Sequence, residues 1–193
     1  IMLIAQELTY YGLDLYKRRA LVDLLQALND VEGIEWIRLH YAYPSKFPRE
    51  VFDAMRDLPK VCKYLDMPLQ HASNEILQSM RRQITSQETE ELIAYARATV
   101  PNIAIRTTFL VGFPGEKKQH FQELLDFVKR MRFDRVGVFE YSHEESTRAY
   151  ELKDDVPART KRARAAKLME AQREISLELN QQKVGKTFKV LFD

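Results

Sequence analysis

Apolar residues recur along this chain in two alternating rhythms. Short runs rich in β-favouring residues, Ile1–Gln6, Trp36–Tyr41, Val61–Met67, Ile103–Val111 and Arg135–Tyr141, are separated by segments whose apolar residues return every three or four positions. The first kind predicts strands and the second helices. Helical spacing covers Leu13–Leu28 through Leu21, Leu24, Leu25 and Leu28, and then a stretch opened by Pro48 that carries Val51, Phe52 and Met55 and stops before Pro59. Ile76, Leu77 and Met80 predict a short helix, Leu92, Ile93 and Ala96 a second, and Phe121, Leu124, Leu125 and Val128 another. Strands joined by helices imply right-handed crossovers and a parallel sheet. Five strands are too few to close an eight-stranded barrel, which leaves a partial (βα) barrel or a doubly wound sheet.

After Tyr141 the pattern changes. Ser142–Asp155 is polar and strand-free, and Asp155 is placed to cap a long helix with Pro157 in its first turn. Leu168, Met169, Ile175 and Leu179 keep helical spacing towards Gly185. The opening of this helix is basic (Arg159, Lys161, Arg162, Arg164, Lys167), which reads as a solvated face or as a nucleic-acid patch. Thr187–Phe192 alternates like a strand. The expected organisation is a partial barrel over 1–156, a connecting helix over 157–185 and the start of a further domain over 186–193.

With 193 residues, 45% hydrophobic and 30% charged, the chain is expected to be globular around one core. Thirty Lys and Arg against 28 Asp and Glu select no class of partner. No apolar run reaches the roughly 18 residues that span a bilayer, and Ile1–Ala5 lacks the length and basic flank of a signal peptide. The single cysteine, Cys62, excludes an internal disulfide and fits a reducing, cytoplasmic setting. Set among Val61, Tyr64 and Leu65, it reads as buried and inert, and Trp36 reads as core. The chain opens inside a strand-like run and is read as a fragment of a longer protein.

In a parallel sheet all strand C-termini share one rim, and there the chain becomes polar after every strand. Gln6, Glu7 and Thr9 follow the first strand, Tyr41 and Tyr43 the second, and Gln70, His71 and Ser73 the third. Gly112-Phe113-Pro114-Gly115-Glu116 follows the fourth, and Tyr141, Ser142, His143, Glu144 and Glu145 the fifth. A ligand site on that rim is the expectation. The two glycines let backbone approach a ligand, or make a tight turn, and the following helix start offers N–H groups. Arg106, inside an apolar strand, must meet either a ligand carboxylate or a structural ion pair. His71 reads as a satisfied polar group, or else as a ligand or base.

Asp66–Ser73, Met80-Arg81-Arg82, Arg106–Glu116 and Phe139-Glu140-Tyr141-Ser142 occur in an order and at a spacing that resembles the radical S-adenosylmethionine methylthiotransferases, from Gln6 to Asp193. Glu144-Glu145-Ser146-Thr147 and Tyr41-Ala42-Tyr43-Pro44 are more similar to the branch acting on an aspartate of a small-subunit ribosomal protein, protein twelve. The transfer-RNA branch carries Arg-Pro-Gly-Thr and Ser-His-Pro there. The chain departs from the family at Glu7-Leu8, at Ser146 in place of glycine, and at Lys117–His120 in place of an acidic run.

The resemblance implies a transferase with a partial radical SAM barrel. Its whole protein would use S-adenosyl-L-methionine and [4Fe–4S] clusters to abstract hydrogen from the aspartate β-carbon, where a methylthio group is inserted. It implies Gln70, His71, Ser73 and Arg106 near the methionine and ribose, Val111, Gly112 and Phe113 near the adenine, and Gln6 and Tyr141 lining the same lumen. Glu144 and Glu145 would meet the ribosomal protein; no catalytic side chain is assigned. The family's cluster needs three cysteines in a Cys-x3-Cys-x2-Cys loop. One cysteine cannot supply them, so this chain is expected to bind no cluster or other metal and to be inactive alone. Thr187–Asp193 resembles the first strand of a TRAM domain. The alternatives are a transfer-RNA (adenosine) methylthiotransferase, a non-catalytic scaffold, and a βα-barrel hydrolase using His71 with Glu116 or Glu144.

Overall fold

Alternation between buried and half-exposed side chains gives the central sheet its two faces. A computed structural model of the chain describes residues 1–190. Met2–Ile4 (β1), Ile37–His40 (β2), Val61–Asp66 (β3), Ala104–Val111 (β4) and Arg135–Glu140 (β5) form one sheet in chain order, every neighbouring pair parallel. The helices are Leu13–Tyr16 (α1), Leu21–Asp30 (α2), Glu50–Asp57 (α3), Asn74–Ser79 (α4), Ser86–Thr99 (α5), Lys118–Met131 (α6) and Ala158–Gln181 (α7). The sheet is open, as a partial barrel requires, and all strand C-termini lie along one rim.

Ile37, Leu39, Leu65, Ile105, Phe109, Val111 and Val136 share one core with Leu25 of α2, Phe52 of α3, Ile93 of α5, Leu124 of α6 and Leu168 of α7. Phe109, Phe127 and Phe133, all fully buried, meet with ring centroids 5.9–6.2 Å apart. Burying each such side chain contributes about 1.5–3 kcal/mol. The other sheet face carries Arg38, His40, Tyr64, Asp66 and Arg106. It stays partly open, with Met2, Ile4 and Phe139 exposed towards its edges.

The structure departs from sequence expectation at several points. The single helix expected over Leu13–Leu28 is two, because Lys17 adopts a left-handed φ of 56° and Ala20 N–H donates to Tyr11 O at 2.8 Å. Asp155 does not cap α7; its carboxylate accepts from Gly115 N–H at 2.8 Å instead. The basic opening of α7 is not uniformly solvated: Lys161 is buried and Arg164 nearly so, while Arg159, Arg162 and Lys167 are exposed. Cys62 is half-buried rather than buried, and its thiol is pushed up by desolvation. Trp36 is also half-buried, with the Lys189 ammonium 5.9 Å from its ring centroid. In the strand expected over Thr187–Phe192, residues 187–190 take no strand conformation, and the rest lies outside the described residues. No helix among the described residues is long and apolar enough to cross a membrane.

Candidate functional site

Parallel pairing in chain order brings residues far apart in sequence to one rim, where they form two layers. The open layer lies on the half-exposed sheet face. Arg106 pairs across the ladder with Asp66, its Nη1 2.7 Å from Asp66 Oδ1. Of the two partners expected for Arg106, the structural ion pair is therefore present. Yet 41% of the Arg106 side chain stays exposed, so part of the guanidinium still faces open space. His40 Nδ1 lies 3.4 Å from Asp66 Oδ2, and Arg38 stacks on the Tyr64 ring at 3.9 Å. Arg38, His40 and Tyr64 are absent from the site residues read from the sequence, and Asp66 enters there only as the first residue of the Asp66–Ser73 motif. The apolar-polar alternation of Ile37-Arg38-Leu39-His40 was the available signal.

Beneath the rim is a buried layer. Gln70 takes a φ of 72°, a left-handed conformation that a non-glycine residue adopts only when its surroundings impose it. Its N–H donates to Thr108 O at 2.9 Å and its carbonyl accepts from Leu110 N–H at 2.8 Å, so it bridges the end of β3 to β4. The chain then dives inward. His71 and Ser73 are each 2% exposed, and Ser73 N–H donates to His71 Nδ1 at 2.9 Å. Nδ1 is thus the acceptor and Nε2 carries the proton of the neutral ring. Nε2 has no hydrogen-bond partner among the described residues and lies 4.0 Å from Glu116 Oε2. Desolvation, reinforced by His120 and Arg164, lowers the imidazole pKa to about 3.

Glu116 organises the loop after β4. Its buried Oε2 accepts from the N–H groups of Gly112 and of Phe113, the latter at 3.3 Å. Arg164 Nη1 sits 3.1 Å from Glu116 Oε1 in an ion-pair contact and donates to the Glu116 carbonyl at 3.0 Å. Burial raises the Glu116 pKa; Arg164 and the two loop amides oppose that shift. Four N–H groups of the loop and of the residue before α6 are therefore already used, whereas the N–H groups of Lys118 and Gln119, in the first turn of α6, are not among them. Gly112 and Phe113 donate to Glu116, Gly115 to Asp155, and Lys117 to His120 Nδ1 at 3.1 Å. Gly112 has a φ of +76°, and the close approach it permits is to Lys161 rather than to open space.

The remaining sequence-derived residues divide between the layers. Val111 is fully buried in the main core, so only its backbone stands near the rim. Phe113 and Tyr141 pack edge to face at 5.3 Å in a small cluster with Ile76. The Tyr141 hydroxyl donates to Ala149 O at 3.2 Å and meets His143 Nδ1 at 3.1 Å. Gln6 is exposed beyond β1, while neighbouring Glu7 accepts from Thr9 N–H at 2.9 Å. Glu144 and Glu145 are exposed on the loop after β5. Among the described residues no three His, Cys, Asp or Glu side chains converge as a metal site.

Comparison with known proteins bears on the family and the fold. The model of the radical SAM superfamily matches residues 3–128. A ribosomal protein uS12 methylthiotransferase RimO of Christiangramia forsetii is 58% identical over 193 residues, which is 100% of this chain and 43% of that protein. The proteins of the same name in Flavobacterium johnsoniae and Cytophaga hutchinsonii are 58% and 55% identical over 100% of this chain and 44% of each. The chain thus spans less than half the length of these curated relatives. The solved structure of the Escherichia coli radical SAM enzyme coproporphyrinogen III oxidase is similar at a TM-score of 0.59 and 21% identity, over 84% of this chain and 37% of that one. That of the radical S-adenosylmethionine methyltransferase TsrM of Kitasatospora setae gives 0.55 at 19% identity, over 72% and 27%. At such identities the likeness speaks for the fold alone.

Proposed function

The chain belongs to the radical SAM superfamily, and from that premise we propose that it is the barrel portion of a methylthiotransferase acting on an aspartate of ribosomal protein uS12. The observation that carries the reading is the meeting of the Asp66–Ser73 and Arg106–Glu116 segments at one rim, joined by the Arg106–Asp66 pair and the Gln70 bridge. In the same reading residues 1–156 form the core barrel, 157–185 the connecting helix and 186–193 the entry into a TRAM domain.

S-adenosyl-L-methionine fits the rim. The exposed part of the Arg106 guanidinium suits a carboxylate, with Asp66 fixing its orientation. Gln70 shapes the backbone beside it, and in this reading the loop of Gly112 and Phe113, held by Glu116, would form the wall on the nucleoside side. Bound there in the whole protein, the cofactor would supply hydrogen abstraction once an iron–sulfur cluster outside this chain gave it an electron, while the residues of this chain bind and orient it. The donor set does not fit an iron–sulfur cluster: Cys62 is the single thiol, and burial disfavours its thiolate. Anaerobic reconstitution of this chain with iron and sulfide is therefore expected to leave no stoichiometric iron. A charge-transfer absorption band with matching iron content would overturn that.

Glu144 and Glu145 give the loop after β5 an acidic, exposed surface that suits a basic protein segment and repels phosphate. The test uses the whole protein, reconstituted and offered both uS12 and transfer RNA, with mass spectrometry of each. Methylthiolation of the uS12 aspartate alone is the expected result; a methylthioadenosine with unmodified uS12 sinks the reading. Reversing both charges, Glu144→Lys with Glu145→Lys, should weaken binding of a uS12 loop peptide by about fivefold at low salt, and by less as salt screens it.

A further inference from the structure

We propose that the opening of α7 is a positioning clamp for the loop after β4, with Arg164 acting through Glu116 and Lys161 acting through Gly112 and the end of β5. The inference rests on the cofactor reading above, and it adds to the site a helix that begins beyond the residues matched by the superfamily model, 3–128. The loop is not held by its own turn alone. The N–H groups of Gly112 and Phe113 converge on the Glu116 carboxylate, which is fully buried. A buried carboxylate persists as an anion only if a charge and hydrogen bonds compensate it. Arg164, with 12% of its side chain exposed, supplies that charge and also binds the Glu116 carbonyl.

Lys161 acts one turn earlier. Its aliphatic stem fills the space a side chain on Gly112 would need. Its ammonium donates to Tyr141 O at 3.1 Å and to Asp154 at 2.7 Å, and lies 4.8 Å from the Tyr141 ring centroid. One residue of α7 thereby ties together the loops that follow β4 and β5. Asp155, just before the helix, adds the bond to Gly115 N–H. Neither basic side chain reaches the open face, so both act by holding the loop, not by touching a ligand.

Equilibrium dialysis of S-adenosyl-L-methionine against the whole protein, reconstituted, and against the same variants made in it tests the idea, alongside amide hydrogen exchange at Gly112 and Phe113. Arg164→Gln is expected to weaken binding by about tenfold or more and to speed exchange at the two amides by at least a similar factor, given the size of a lost charged partner. Lys161→Met, which keeps the stem, should have the smaller effect. Arg164→Lys should recover part of the affinity, and Arg162→Gln, exposed on the same helix, should change nothing. If Arg164→Gln does not fold, Arg164→Lys and Lys161→Met carry the comparison. Wild-type binding matched by these variants with unchanged amide protection overturns the clamp. A reconstituted wild-type protein that binds no S-adenosyl-L-methionine overturns the cofactor reading, and with it the clamp's role at that site.

Discussion

Gly112→Ala is expected to destabilise the protein by about 3 kcal/mol, against about 1 kcal/mol for Gly115→Ala. Both glycines take positive φ, +76° and +80°, so both substitutions strain the backbone. They differ in what a methyl group would meet. At Gly115 an added Cβ would meet no atom of the described residues within 4 Å beyond its chain neighbours. At Gly112 the new Cβ would overlap Lys161 Cγ and come within 2.9 Å of Cδ. That stem cannot swing aside, because its ammonium is anchored at both Tyr141 O and Asp154. Urea denaturation of the two variants checks the ordering. Equal losses would mean that α7 yields readily, and would weaken the case for a rigid contact there.

Acidification should destabilise the fold through His71. Its folded pKa, about 3, lies far below the ordinary histidine value of 6.5. Between those values the unfolded chain binds a proton that the folded chain refuses, so stability falls as pH falls. The contribution is complete above about pH 6.5 and is lost at up to about 1.4 kcal/mol per pH unit towards pH 3. Protonation would also take Nδ1 away from the Ser73 N–H, leaving that buried donor unpaired. Glu116 works in the opposite sense: burial raises its pKa, so protonating it as pH falls relieves the cost of burying its charge. The difference between wild type and His71→Gln therefore isolates the histidine, since glutamine can accept the same N–H without titrating. Unfolding free energies from pH 7 to pH 4.5 should converge for the two proteins as pH falls. Parallel curves would show that the ring is hydrated and titrates normally.

Much of the architecture was legible because it rests on local rules. Val61–Met67 and Ile103–Val111 announce themselves as β-favouring runs, and the structure places strands within both, at Val61–Asp66 and Ala104–Val111. Parallel order follows from the helices between the strands. The break at Lys17 was not legible, since Leu13–Leu28 keeps its apolar spacing on both sides of a turn held by Tyr11 and Ala20. The site was partly legible. Position after a strand placed Gln70, His71, Gly112 and Tyr141 on the rim, but spacing alone does not tell a side chain facing open space from one folded beneath the rim.

The sequence by itself determined the alternation of strands and helices, the polar strand ends, and the presence of a single thiol, because each depends on residue identity and short-range spacing. Only the tertiary structure decided the partners of the charged groups. Arg106 meets Asp66 because β3 and β4 pair in one particular register. Glu116 meets Arg164, 48 residues later, because α7 packs back against α6 and β5. A buried charge must be compensated, but which distant residue compensates it depends on how the layers stack, and no local pattern records that.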